Sequence, residues 1–345
     1  MRVKFKMDET MLAAALNQQY GIHVKDLFFI PWGTSAYSYR VNCVNGECYY
    51  LKLFDTTDSK QRNFAERIDF SLAITWKLYH EGVFRDLTYP IKTKDGHFKA
   101  VFNQTALILF NFIEGKTLKD TSTSKETIEK TAKLIASLHK ATPKIDQNEA
   151  KQEQFYIGTQ KWLMRSLSVL ETKTKFDHPY KKALQELILT NKEKILNYLN
   201  LLRSLHASVI TIEKERVFCH GDLGTGNIII DHDEIFLIDW EYAVFAPPEF
   251  DLSCFISTDF EFFFRQYEKF LDQKVILHAD LIKFYSYRSK LDQLNHLITN
   301  ILYRNTDESH NGMDLEEITK YSLPELDRLG YLIDDIQSRL KENFI

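Results

Sequence analysis

Val217 to Glu241 reads VFCHGDLGTGNIIIDHDEIFLIDWE, and the alternation of apolar and polar runs within it decides the fold. Asn227-Ile228-Ile229-Ile230 and Ile235-Phe236-Leu237-Ile238-Asp239 are short runs rich in β-branched residues, and they flank the polar tetrad Asp231-His232-Asp233-Glu234. That pattern predicts a β-hairpin. Folded about the middle of the tetrad, it brings Asn227 and Asp239 together at the open end of the ladder. Asp222 precedes Asn227 across a loop that holds Gly224 and Gly226. Two carboxylates and one amide are therefore expected to converge.

Carboxylate and amide oxygens are the ligands of hard divalent cations, and Mg2+ takes one or two from protein and the rest from water and phosphates. Asn227 and Asp239 suit that role. Asp222, offset by the loop, is placed to accept the proton of an attacking hydroxyl, or to orient it toward a phosphoryl group held by the metal. The D-x-x-x-x-N spacing from Asp222 to Asn227 matches the catalytic loop of protein kinases, and Asp239 corresponds to their metal-binding Asp. Alone, Asp222 and Asn227 would read as turn residues beside Gly221, Gly224 and Gly226. The second strand, which delivers Asp239, favours a phosphoryl-transfer site instead. His220 reads as a structural group rather than a metal ligand or base.

The chain has 345 residues, long enough for two compact units or one large bilobal one. A hydrophobic content of 44% with 25 Phe and 17 Tyr supports a substantial core. Cys43, Cys48, Cys219 and Cys254 show no C-x-x-C spacing and fit a reducing cytosol. The N-terminal MRVKFKMDET lacks an apolar segment of signal type, and no run is long enough to span a bilayer. A cytoplasmic protein without a membrane partner is expected. With 44 basic and 48 acidic residues, the charge balance argues against a nucleic-acid partner. From Asp251 onward 17 acidic residues stand against 11 basic ones, a net of −6, so the first 250 residues carry about +2. An acidic surface beside a phosphoryl-transfer site favours a cationic acceptor. A solvated helical surface accounts for the same charge equally well.

The front of the chain supplies a nucleotide site. LFFIPW, YSYRVNCV and ECYYLKLF read as three strands, joined by the turn Gly33-Thr34-Ser35-Ala36 and by a type I′ turn at Asn45-Gly46. Lys52, near the end of the third strand, is within reach of nucleotide phosphates beneath the first turn, as the third-strand lysine is in kinases. The turn itself has one glycine, so it is neither G-x-G-x-x-G nor a Walker A sequence. Its backbone amides and the hydroxyls of Thr34 and Ser35 remain candidate phosphate contacts. Helical periodicity from Gln61 to Gly82 carries Glu66 and Asp69, either of which suits an ion pair with Lys52. A strand ending in TYPI, another around GHFKAVF and the apolar strand TALILFNFIEG are expected next, with Gly115 opening the crossing to a second lobe. Adenine is expected to stack on this crossing and bond to its backbone at Asn111, Phe112 and Ile113.

Helices dominate thereafter. Thr123 with Glu126 resembles a capping box for a helix through Ile128, Ala132, Ile135 and Leu138. A helical insertion occupies about 150–214, including one helix from Tyr180 to His206. Further helices are expected at 259–271, 279–303, 314–321 and 323–342, the last capped by Ser322 with Glu325. The aromatic residues between Phe255 and Tyr287 are read mainly as core, with an aromatic cage for a quaternary ammonium as the alternative.

Taken together, HGDLGTGNIII, LIDWEYA, CYYLKLF, FNFIEGKTL, IASLHK and PPEFDLSCF resemble, in order and spacing from about residue 27 to 300, the aminoglycoside phosphotransferase and choline kinase superfamily. These are small-molecule relatives of protein kinases. The resemblance implies an α+β bilobal fold. Residues 1–113 would form a small nucleotide-binding lobe with an antiparallel sheet, and residues 114–345 a larger, mainly helical catalytic and acceptor-binding lobe. It also implies ATP-dependent phosphorylation of a small-molecule hydroxyl, with GTP as the alternative donor, Asp222 as catalytic base, and Asn227 and Asp239 as Mg2+ ligands. Asp251 looks like the family's Asp that braces the catalytic loop. AVFAPPEFDL and YSYRSKLDQLNHL are similar to antibiotic kinases of the spectinomycin-phosphorylating kind, pointing to an aminoglycoside or aminocyclitol acceptor. IDWEY is closer to choline and ethanolamine kinases, the alternative. A catalytically silent kinase-like binding protein is the reading from another class.

Overall fold

The structure is a computed structural model that describes residues 4–31, 33, 35–146, 151–173 and 176–345. The fold is α+β, with an antiparallel sheet toward the N-terminus and a largely helical C-terminal part. Contacts divide it into two compact units, Met1–Lys151 with Val217–Phe245, and Gln152–Arg216 with Ala246–Ile345.

The first unit opens with α1 (Glu9–Tyr20), a helix absent from the sequence-based expectations. Asp8 caps it, its carboxylate accepting the N–H groups of Thr10 at 2.7 Å and Met11 at 3.3 Å. Leu12, Ala15, Leu16 and Tyr20 recur at helical spacing and are buried, a signal that was legible. Five strands follow: β1 (Val24–Ile30), β2 (Tyr37–Cys43), β3 (Cys48–Asp55), β4 (Ala100–Phe102) and β5 (Thr105–Asn111), in the order β1-β2-β3-β5-β4. The alternation of side chains assigns their faces. Tyr39, Val41, Leu51, Leu53, Leu107 and Leu109 share a core with α1. Phe54, Ala106, Ile108 and Phe110 pack on the opposite face with Ala65, Ile68 and Leu72. Both faces of β5 are covered, which is why TALILF is one unbroken apolar run. Lys52 pairs across the sheet with Ser38 and Ile108, so it lies on the second face.

Several local expectations are corrected. The β2–β3 connection is not type I′, which requires positive φ at two residues. Only Gly46 has one, at 89°. The chain turns with Gly46 N–H on Cys43 O and closes with Cys43 N–H on Glu47 O, the pattern of a three-residue loop. TYPI forms no strand and contributes an isolated bridge between Pro90 and Phe110, since proline cannot donate to a ladder. The helix expected over 61–82 is two, α2 (Ser59–Arg67) and α3 (Asp69–His80). At the junction Lys99 Nζ takes the carbonyl of Ala65 at 3.0 Å and the carboxylate of Asp69 at 2.6 Å.

The short strand β6 (Lys116–Thr117) and helix α4 (Lys125–Lys140) come next. Ser124 rather than Thr123 caps α4, its hydroxyl accepting Thr127 N–H at 3.1 Å. β7 (Val217–Cys219) then leads to the expected hairpin, β8 (Ile228–Asp231) and β9 (Glu234–Leu237), with Asp231 paired to Glu234 and Ile228 to Leu237. β6 adds to β8. Gly115, at φ 117°, is required where β6 starts, because a Cβ there would overlap the carbonyl of Ile230. β10 (Val244–Ala246) pairs with β7.

The second unit contains α5 (Thr159–Thr172), α6 (Pro179–Thr190), α7 (Lys192–Val209), α8 (Glu249–Leu252), α9 (Phe260–Leu271), α10 (Ala279–Thr299), α11 (Glu308–Glu317) and α12 (Leu323–Arg339). The single helix expected from Tyr180 to His206 is interrupted at Asn191, whose side-chain amide donates to Leu187 O at 2.9 Å. Ser322 caps nothing. It is helical, buried, and part of a π-helical turn that joins α11 to α12. α10 is the central helix, packed by α5, α7 and α12. Phe255, Phe260, Phe263, Phe264, Tyr267, Phe284, Tyr285 and Tyr287 are all buried, as the core reading expects.

Candidate active site

The hairpin and the loop before it bring their oxygens together within the first unit. Ile238 N–H bonds to Asn227 O at 3.0 Å, extending the β8–β9 ladder by one step. The Asn227 side-chain nitrogen donates to Asp222 O at 2.8 Å and to the Asp222 carboxylate at 3.0 Å. With its nitrogen so committed, the amide oxygen of Asn227 is left as the acceptor that suits a cation. Gly221 permits the loop's bend: its φ is 80°, and a Cβ would overlap the carbonyl of Tyr242. His220 is fully buried, with Nε2 2.8 Å from Ile238 O and Nδ1 3.3 Å from Asp222 N. Accepting at Nδ1 and donating at Nε2 describes the neutral ring, which here ties the loop to the strand end.

Asp239 follows β9 in a left-handed conformation, φ 75° and ψ 66°. Its carboxylate meets the ammonium of Lys52 from β3. The other partner of Lys52 is Glu241, which neither motif nor spacing had singled out. It sits in the 3-10 turn Trp240–Tyr242 that follows Asp239, where no strand alternation marks it. Neither expected helix carboxylate is on Lys52: Asp69 pairs with Lys99, and Glu66 is exposed. Ser35 Oγ donates to Glu241 at 3.2 Å. Thr34 lies outside the described residues.

The electrostatics follow from burial. Burial disfavours the Lys52 ammonium, but Asp239 and Glu241 outweigh it and raise its pKa. Burial likewise opposes ionisation of Asp239, yet the charge and hydrogen bond of Lys52 hold its carboxyl well below the usual range. Glu241 moves the other way, raised by burial and by the negative charge of Asp239. Asp222 keeps an open face to solvent, but crowding by protein raises its pKa, with the charge of Asp239 adding to the effect. A carboxylate lifted in this way is a better proton acceptor than an ordinary surface Asp. The donor set of Asn227 and Asp239 is all oxygen, which fits a hard divalent cation such as Mg2+.

Asn111, at the end of β5, is tied to the TYPI segment: its N–H reaches Tyr89 O at 3.2 Å and its side-chain oxygen accepts Tyr89 N–H at 2.7 Å. Phe112 lies 4.5 Å beneath the Arg40 guanidinium, and Arg40 bonds Glu114 through both terminal nitrogens. Ile113 is half-buried. Asp251 sits in α8 of the second unit, fully buried.

Comparison with known proteins bears on the fold and the family. A crystal structure of spectinomycin phosphotransferase in complex with ADP and spectinomycin is similar over 92% of this chain and 95% of that one, at a TM-score of 0.73 and 17% identity. An aminoglycoside phosphotransferase from Alicyclobacillus acidocaldarius matches over 97% and 98%, TM-score 0.60 and 13% identity. Choline kinase LicA from Streptococcus pneumoniae matches over 92% and 98%, TM-score 0.56 and 18% identity. No curated protein sequence is similar enough to count as a match. No helix among the described residues is long and apolar enough to cross a membrane. The sequence profile of the APH phosphotransferase enzyme family matches residues 27–282, roughly three quarters of the chain, and the protein belongs to that family.

Proposed function

We propose that the protein transfers the γ-phosphate of ATP to a hydroxyl of a small cationic acceptor, an aminoglycoside or aminocyclitol. The observation that carries this reading is the meeting of Lys52, Asp239, Asn227 and Asp222 in one unit from three separate segments. In it, Asn227 and Asp239 hold Mg2+, which neutralises phosphate charge when bound. Lys52 and the turn at Thr34 and Ser35 hold phosphate oxygens, and the crossing at Asn111, Phe112 and Ile113 receives the base. Asp222 takes the acceptor's proton. Residues 1–113 then serve the nucleotide, and residues 114–345 serve catalysis and the acceptor. The acceptor class is supported by the net charge of −6 beyond residue 250 and by the similarity to a kinase crystallised with spectinomycin. IDWEY and the similarity to a choline kinase support choline or ethanolamine as the second reading.

The test is a phosphorylation screen with Mg2+-ATP, pairing spectinomycin and aminoglycosides against choline, ethanolamine and amino sugars. Transfer to an aminocyclitol or aminoglycoside is expected. Transfer to choline alone would replace the acceptor, and absence of any transfer or nucleotide binding would leave the silent binding protein.

A further inference from the structure

We propose that Glu241 is the residue that positions Lys52 for the nucleotide phosphates, a duty that the helix carboxylates Glu66 and Asp69 do not carry; this rests on the nucleotide reading above.

The alternatives are occupied or exposed. Asp69 gives its carboxylate to Lys99 at 2.6 and 2.7 Å, and Glu66 is exposed on α2. Glu241 has a side chain only 2% exposed, and one of its oxygens, Oε1, serves both Lys52 Nζ and Ser35 Oγ. A single carboxyl oxygen therefore links the β3 lysine to the turn between β1 and β2.

Asp239 explains why a second anchor matters. Lys52 is a compact charge on a long flexible stem, and ordering such a side chain costs rotamer freedom. Held by Asp239 alone, its ammonium would settle on that carboxylate and compete with the cation for both oxygens. With Glu241 beside it, Nζ is shared between two carboxylates, and Asp239 engages it through Oδ1. Glu241 thus acts through Lys52, and nothing in this role requires it to touch nucleotide or acceptor.

The experiment measures the affinity of Mg2+-ADP by calorimetry for the wild type, Lys52→Met, Glu241→Met, Glu241→Asp, and the two double variants with Lys52→Met. Thermal melts establish folding, and Glu241→Asp, which withdraws the carboxyl by one methylene, carries the comparison if the Met variant does not fold. Each Glu241 variant is expected to bind about tenfold more weakly than wild type, yet to cost nothing further in the Lys52→Met background, because coupled residues are non-additive. Glu66→Gln and Asp69→Asn are expected to bind as wild type. Undiminished binding by folded Glu241 variants, additive losses in the double variants, or a loss in Glu66→Gln matching that of Lys52→Met would overturn the role while sparing the kinase reading. A wild type that binds no Mg2+-ADP would overturn both.

Discussion

The Asn227 side-chain nitrogen is shared between the backbone carbonyl and the carboxylate of Asp222, at 2.8 and 3.0 Å. One amide thereby orients the proposed base with its nitrogen and offers its oxygen toward the proposed metal. Asp222→Asn should keep the wild-type melting temperature within a few degrees and lose transfer by about 10²–10⁴-fold, the usual range for a general base. Turnover of Mg2+-ATP with an accepted substrate measures it, and an unaffected rate would remove Asp222 from the role.

Asp239 occupies a left-handed conformation that Asn tolerates better than Ala does, so Asp239→Asn isolates its chemistry from its backbone. The variant should no longer show the rise in melting temperature that Mg2+-ATP produces in the wild type. A rise of wild-type size would argue against Asp239 as a metal ligand.

Gly115→Ala combines a φ of 117° with an overlap on the Ile230 carbonyl. Strain of this kind costs about 1–3 kcal/mol or more. A lower midpoint in urea is expected. A midpoint equal to the wild type would show that β6 and β8 separate without loss.

Asp292, on α10, keeps a face to solvent, but crowding by the surrounding protein raises its pKa to about 6, with the Arg288 charge opposing. A folded pKa above the unfolded one means that the native state holds a proton which the unfolded chain has already released. This contribution is complete below the unfolded value and is lost as the pH rises through about 6. Asp292→Asn removes the titration, so its urea midpoint should gain on the wild type between pH 4.5 and pH 7.5. A constant difference between the two proteins would count against the shift.

Periodicity made much of this legible. The β8–β9 hairpin, the three strands around Lys52 and the face of α4 all lie where alternation or helical spacing put them, because burial on one side imposes that spacing. Breaks were not legible at Ile68 or Asn191, where the apolar spacing continues through a junction set by Lys99 or by an asparagine bonding its own backbone. The convergence of Asp222, Asn227 and Asp239 was readable from local geometry. Glu241 was not read as a partner of Lys52, because 189 residues separate the two and helix carboxylates close in sequence offered a nearer answer. Only the packing showed that Asp69 was already taken by Lys99.

The close approach of Gly221 to the carbonyl of Tyr242 has a mechanical meaning. Backbone rests on backbone there, with His220 bonded to Ile238 beside it and Tyr242 stacked under Arg67 at 4.3 Å. The loop bearing Asp222 and the segment bearing Asp239 and Glu241 therefore move as a single part. Evolution or engineering that sought to shift one of these carboxylates would have no separate screws to turn: adjusting one would carry the others with it.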